Sequence, residues 1–300
     1  MELVAVDYTS PTAKQDFVRS LRDTGFGVLK NHPLRQEEVQ EIYDDWRQFF
    51  SEDRKNDFAV PHNGAGGFYP QSLSETAKGN TIKDIKEFFH YYPGDVCPDD
   101  LLPKAQAYHQ RATDLAAELL QWIEDESPED VTALYSESLS AMIEGSPKHL
   151  LRILHYPPLT GDEEPAAIRA AAHEDINLIT ILPASNEPGL QVLAKDGSWL
   201  EVPCDFGNLI VNIGDMLQEA SGFTTRWVVE GKYPPEASCS MSPMLTIRLP
   251  KSQGTSSQLP SLASTCSPGS LDAGRMVIRL ISSWAAARMA AGSSSPVSGG

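Results

Sequence analysis

Hydrophobic positions fall at helical spacing in the first half of the chain and in short β-branched runs in the second. Val4-Ala-Val6 reads as a short strand. Phe17, Val18 and Leu21 share one face of a helix that begins after Thr9-Ser-Pro-Thr12 and stops at Gly25. Gly27-Val-Leu-Lys-Asn-His32 is a second strand, closed by Pro33. Glu37 to Phe50 forms an amphipathic helix with Val39, Ile42, Tyr43, Trp46, Phe49 and Phe50 on its apolar side. Pro103 to Glu124 forms another, with Ala107, Ala112, Leu115, Leu119, Trp122 and Ile123 as its stripe, and Glu129 to Met142 a further one. The aromatic group Phe88, Phe89, Tyr91 and Tyr92 reads as core or lid packing. His32 sits in a turn, and His109 and His149 read as surface residues. Gly64 to Pro70 is rich in glycine but lacks the Gly-Lys-Ser/Thr of a phosphate loop.

From Leu150 the period shortens. Leu150 to Pro158, Ile176 to Leu182, Gly189 to Leu193, Trp199 to Val202 and Asn208 to Asp215 are brief apolar runs. They are separated by Pro, Gly, Asn and Asp, including the turn Lys195-Asp-Gly-Ser198. Such spacing predicts a β-sandwich or barrel, with the long helices covering one sheet face. A formal net charge of −17 argues against nucleic acid or an anionic membrane as partner. Cys97, Cys204, Cys239 and Cys266 contain no Cys-x-x-Cys pair and read as free thiols of a reducing compartment. With neither a secretory signal at the N-terminus nor an apolar run of membrane-spanning length, the expected location is cytoplasmic. The composition changes late in the chain: of 41 acidic residues, Asp272 alone lies beyond Pro250. Such a shift reads as a disordered tail, or as an altered reading frame or retained intron entering after Ser221.

The candidate chemistry centres on His173 and Asp175. On a strand, residues two apart point to the same face, so an imidazole and a carboxylate converge while Glu174 turns away. That donor pair suits a borderline metal and forms two thirds of a 2-His-1-carboxylate triad. A lone His-x-Asp is common by chance, so its neighbours decide its weight. These are His155-Tyr-Pro-Pro158, Pro188-Gly-Leu-Gln-Val192, Trp199-x-x-Val202 and Val211-Asn-Ile-Gly-Asp-Met-Leu-Gln218. In this order and spacing the chain resembles the isopenicillin N synthase-like branch of the 2-oxoglutarate/Fe(II)-dependent oxygenases. Its opening also resembles that branch, through Gly25-Phe-Gly-x-Leu-x-Asn-His32 and a later Phe-Phe.

The resemblance implies a mainly β fold with flanking helices around a double-stranded β-helix, or jelly-roll, core. It implies an N-terminal α/β region over 1–100, helical support over 101–145, the oxygenase core over 146–250 and a low-complexity tail over 251–300. It implies Fe(II) held by His173 and Asp175, 2-oxoglutarate as co-substrate, dioxygen, and a small organic substrate that is hydroxylated, desaturated or ring-closed. Tyr156 is its candidate for a hydrogen bond to the co-substrate. Gly64 to Pro70 becomes a surface loop, and Asp84 to Phe89 falls near the barrel mouth. Asn177 and Leu178 fall where they line the pocket or pack the strand, and Asp215 falls in a turn between strands. Two expected residues are absent. Arg226 occupies the slot of the third ligand, a histidine, and a guanidinium has no lone pair for a metal. Ser240 occupies the slot of the arginine that binds the co-substrate's far carboxylate, which leaves Arg248 as the nearest substitute. These departures define the alternative, a catalytically impaired barrel acting as a binding or regulatory module, or a truncated or frame-altered product.

Overall fold

A computed structural model describes residues 3–60, 66–74, 83–133, 135–158, 170–173, 175–184, 190–193, 198–203, 205–221, 229–231 and 240–247. Among these residues the chain opens with β1 (Ala5–Asp7), α1 (Ala13–Thr24), β2 (Phe26–Lys30) and α2 (Gln36–Ser51). Next come β3 (Gly67–Tyr69), β4 (Glu87–Tyr91), α3 (Leu102–Asp125) and a single turn, α4 (Glu129–Thr132). The strand-rich half holds β5 (Leu150–Tyr156), β6 (Ala170–His173), β7 (Ile179–Pro183), β8 (Leu190–Leu193), β9 (Trp199–Glu201) and β10 (Leu209–Ile213). It closes with α5 (Asp215–Ser221), β11 (Val229–Gly231) and β12 (Ser240–Ile247). Gly25 ends α1 at φ 72°, a left-handed conformation that favours glycine, and its N–H caps the Leu21 carbonyl at 2.7 Å.

The strands form two sheets. The larger runs β1-β2-β10-β7-β12-β5-β4-β3 and the smaller β6-β11-β8-β9. Apart from the parallel β1–β2 pair, the strand pairings are antiparallel. Alternation sorts the side chains of the large sheet. Leu29, Leu151, Ile153, Ile179, Ile181, Leu209 and Val211 lie in one core with Phe17, Leu21, Trp46, Phe49, Leu115 and Leu119 of the helices. The opposite face sends Phe26, Val28 and Ile210 against Val192 and Val202, so the small sheet packs there. Farther along that face, Tyr69, Phe88, Leu154 and Tyr156 form a separate buried cluster with Val60. No helix of the described residues is long and apolar enough to cross a membrane.

Several sequence expectations are corrected. Gly67–Tyr69 is a fully buried strand paired with β4, not a surface loop, because Phe68 and Tyr69 complete two apolar clusters. The helix expected over Glu129 to Met142 shrinks to α4 and a 3₁₀ turn at Ala141–Ile143. Side chains capture the backbone between them: Leu139 N–H donates to Glu124 and Ala141 N–H to Ser138 Oγ. His109 and His149 are buried at 6% and 3% exposure, joined by a 3.0 Å hydrogen bond from His109 Nε2 to the His149 carbonyl. Asp215 opens α5 rather than occupying a turn, and its N–H donates to the Asp175 carbonyl at 2.9 Å. Phe88, Phe89 and Tyr91 are core residues as read. The 251–300 segment and the residues around Arg226 lie outside the described residues.

Candidate metal centre

The strand alternation reserves two polar positions on the face of the large sheet that looks toward the small one. Thr180 interrupts the apolar run of β7, and Asn212 interrupts that of β10. The two stand opposite each other in register. Both are buried, at 1% and 7% exposure, and a buried polar group needs a partner. Their shared partner is Asp175. Thr180 Oγ1 donates to Asp175 Oδ2 at 2.7 Å, and Asn212 Nδ2 donates to the same oxygen at 3.0 Å. Asn177 Nδ2 in turn donates to Thr180 Oγ1 at 2.7 Å, which fixes the hydroxyl proton on Asp175.

The segment carrying Asp175 is docked through its backbone. Its own carbonyl accepts from Asp215 N–H, that of Asn177 from Met216 N–H at 3.1 Å, and that of Leu178 from Gly214 N–H at 3.1 Å. Gly214 is required by this close approach: a Cβ there would stand 2.2 Å from Asn177 Oδ1 and 2.4 Å from the Asn177 carbonyl oxygen. Asp175 thus lies beyond the end of β6, off the ladder, where the sequence expects it on the strand. It has turned to meet two donors on the large sheet.

His173 is the last residue of β6, with its backbone opposite Val229 of β11. His173 therefore belongs to the small sheet, and the Asp175 carboxylate is held by the large one. The side chain of His173, together with Arg226 and Arg248, lies outside the described residues. Among the described residues no three His, Cys, Asp or Glu side chains converge. A carboxylate immobilised by outer hydrogen bonds, two residues from a histidine, fits a divalent borderline metal. Tyr156 is buried at 5% exposure, with its backbone directly opposite Ser240 of β12. The two slots that the resemblance assigns to co-substrate binding are thus adjacent. Thr180 and Asn212 are the residues that sequence reading missed. Their one signal was a polar residue inside each apolar run.

Comparison with known proteins bears on this arrangement. The family model of the 2OG-Fe(II) oxygenase superfamily matches residues 147–227. That of the N-terminal region of non-haem dioxygenases in morphine synthesis matches 5–111. Proline hydroxylase buaE of Petromyces alliaceus is 27% identical over 252 residues, 73% of this chain and 76% of its own length. Gibberellin 2-beta-dioxygenase 2 of Arabidopsis thaliana is 25% identical over 231 residues, 71% of this chain and 64% of its own. A solved structure described as an oxygenase from Shewanella oneidensis is 50% identical, with a TM-score of 0.76 over 83% of this chain and 91% of that one. A full-length Neurospora crassa protein solved in complex with alpha-KG and thymine, 18% identical with a TM-score of 0.68, shares the fold over 94% of this chain and 97% of its own. With 50% identity to one solved oxygenase over 83% of the chain and both family models matched in order, the chain belongs to the 2OG-Fe(II) oxygenase superfamily.

Proposed function

We propose that this chain is a non-haem Fe(II), 2-oxoglutarate-dependent oxygenase that oxidises a small organic molecule, with His173 and Asp175 as protein ligands to the metal. The observation that carries the reading is the fixed Asp175 carboxylate, held by Thr180 and Asn212 two residues beyond the histidine that ends β6. The order of the strands supports a jelly-roll core. From β5 to β12 the chain alternates between the large and small sheets, with only β8 and β9 consecutive in one sheet. Such a barrel holds a ligand at its open end. When bound, Fe(II) with 2-oxoglutarate and dioxygen supplies the oxidant for an unactivated C–H bond.

The chain's own residues set the conditions for that chemistry. Thr180 and Asn212 stop Asp175 from rotating by donating to one of its oxygens. The buried cluster of Val60, Tyr69, Phe88, Leu154 and Tyr156 excludes water from the neighbouring face. Tyr156 is the residue assigned to offer its hydroxyl to the co-substrate. The relatives named for proline and gibberellin support a small-molecule substrate. Calorimetric titration of Mn(II) into the metal-free chain, with and without 2-oxoglutarate, tests the proposal. Binding that tightens when 2-oxoglutarate is present and is lost in H173A supports it. No heat in either titration favours the impaired-barrel reading, for which Arg226 in the histidine slot and Ser240 in the arginine slot are the specific motive.

A further inference from the structure

The inner face of the large sheet carries a second built feature beyond the metal centre. Arg152 lies on β5 with Leu154 and Tyr156, one strand from His90, its register partner on β4. Its guanidinium carbon sits 4.0 Å from the centre of the Phe88 ring. Phe88 stacks on Tyr69 with centroids 4.8 Å apart and planes 14° from parallel. His90 adjoins both rings, 4.5 Å from Tyr69 and 4.9 Å from Phe88. Phe88 and Tyr69 are buried at 2% and 1% exposure, whereas Arg152 and His90 are only part-buried. The rings form a bed, and the guanidinium lies on top of it.

This placement matters for what Arg152 can bind. Thr246 of β12 stands opposite both Leu150 and Thr180, so Leu150, Arg152 and Thr180 share one face. Arg152 is two strands across and two residues along from Thr180, about 12 Å between Cα atoms at ordinary strand spacings. The guanidinium leans farther out, over Phe88 of β4, so its span to the metal centre exceeds this distance and suits an elongated small molecule. A guanidinium that rests its flat face on an aromatic ring has its orientation fixed, and its N–H donors lie in the plane, at the edge. Edge-on donors in a fixed plane match the two oxygens of a carboxylate.

We propose that Arg152 is a specificity-determining residue that takes the carboxylate of the substrate, so that the molecule oxidised at the metal is a small organic acid. This rests on the oxygenase reading above. The test uses the full chain with Mn(II) and 2-oxoglutarate under nitrogen, so that nothing turns over. Ligand-observed NMR titrations compare matched acids and amides: phenylacetate with phenylacetamide, cinnamate with cinnamamide, hexanoate with hexanamide, proline with prolinamide. At least one acid is expected to bind tenfold or more tightly than its amide. R152Q should abolish that preference while leaving amide binding unchanged, and R152K, which keeps the charge but not the fork, should fall between. The proposal is overturned if no acid outbinds its amide, or if the preference survives in R152Q. It is overturned too if R152Q weakens 2-oxoglutarate instead, which would assign the guanidinium to the co-substrate. Should R152Q fail to fold, R152K alone decides, because an unchanged acid preference there also overturns the proposal. If Mn(II) and 2-oxoglutarate do not bind wild type, the oxygenase reading fails, and the same acid–amide comparison on the metal-free chain still decides the role of Arg152.

Discussion

A carboxylate that is to grip a cation must first be kept from rotating, and at the proposed ligand Asp175 this falls to the Thr180 hydroxyl and the Asn212 amide. The hydroxyl can donate to Asp175 because Asn177 Nδ2 already donates to its oxygen. T180V keeps the shape of the side chain and removes the donor, leaving the Asn177 amide without its acceptor. Loss of such an outer partner typically costs about 10- to 100-fold in metal affinity. The Mn(II) dissociation constant of T180V, by calorimetry or EPR, should rise by that factor with the far-ultraviolet spectrum unchanged. Affinity equal to wild type would remove Asp175 from the ligand set. His173 and Asp175 could be proposed together from the sequence because ligand spacing is local. Thr180 and Asn212 were not, because their roles arise only when β7 and β10 pair, and a lone polar residue in an apolar run looks the same whether it holds a ligand or fills a gap.

At the scale of the element, helical stripes were the most legible feature. Val39, Ile42, Tyr43, Trp46, Phe49 and Phe50, read from periodicity alone, are all buried on α2, and α3 runs Leu102–Asp125 against an expected Pro103 to Glu124. Reading was weaker where side chains compete with the backbone, as at Ser138 and Glu124, and where a polar residue is buried by a distant element. His109 on α3 and His149 beside β5 were read as exposed because nothing local signals that the His109 ring will meet the His149 carbonyl, 40 residues on. Their burial has a consequence in solution. Desolvation lowers both imidazoles, and His149, further opposed by His109, falls to about 4. Below the ordinary histidine value of 6.5 the unfolded chain takes up protons that the folded chain refuses, so stability is complete above that pH and declines as pH falls toward 4. The slope approaches about 1.4 kcal/mol per pH unit for His149 at most. Urea unfolding at pH 7, 6 and 5 should show this decline, and H149Q should flatten it by one histidine's share. An unaltered slope in H149Q would mean that other groups set the acid sensitivity.

At the scale of the whole molecule, the two faces of the large sheet meet different layers. One face is buried under α1, α2 and α3 in a continuous core. Among the described residues the other meets the small sheet through Leu3, Phe26, Val28, Val192, Val202 and Ile210. The proposed ligands straddle this junction. His173 ends a strand of the small sheet, whereas Asp175 is tied to Thr180 and Asn212 of the large one. A metal gripped by both would clip the layers together and add its binding free energy to the closed state. At a hundredfold excess over the dissociation constant that is about 2.7 kcal/mol. Hydrogen exchange should then show Mn(II) slowing the amides of Ala170–His173, Leu190–Leu193 and Val229–Gly231, with EDTA reversing the effect. The amides of α3, whose opening does not separate the sheets, should change little. Equal slowing in α3 and the small sheet would point to metal bound without bridging the layers. No slowing at all in a metal-loaded chain would mean that His173 and Asp175 do not hold the ion together.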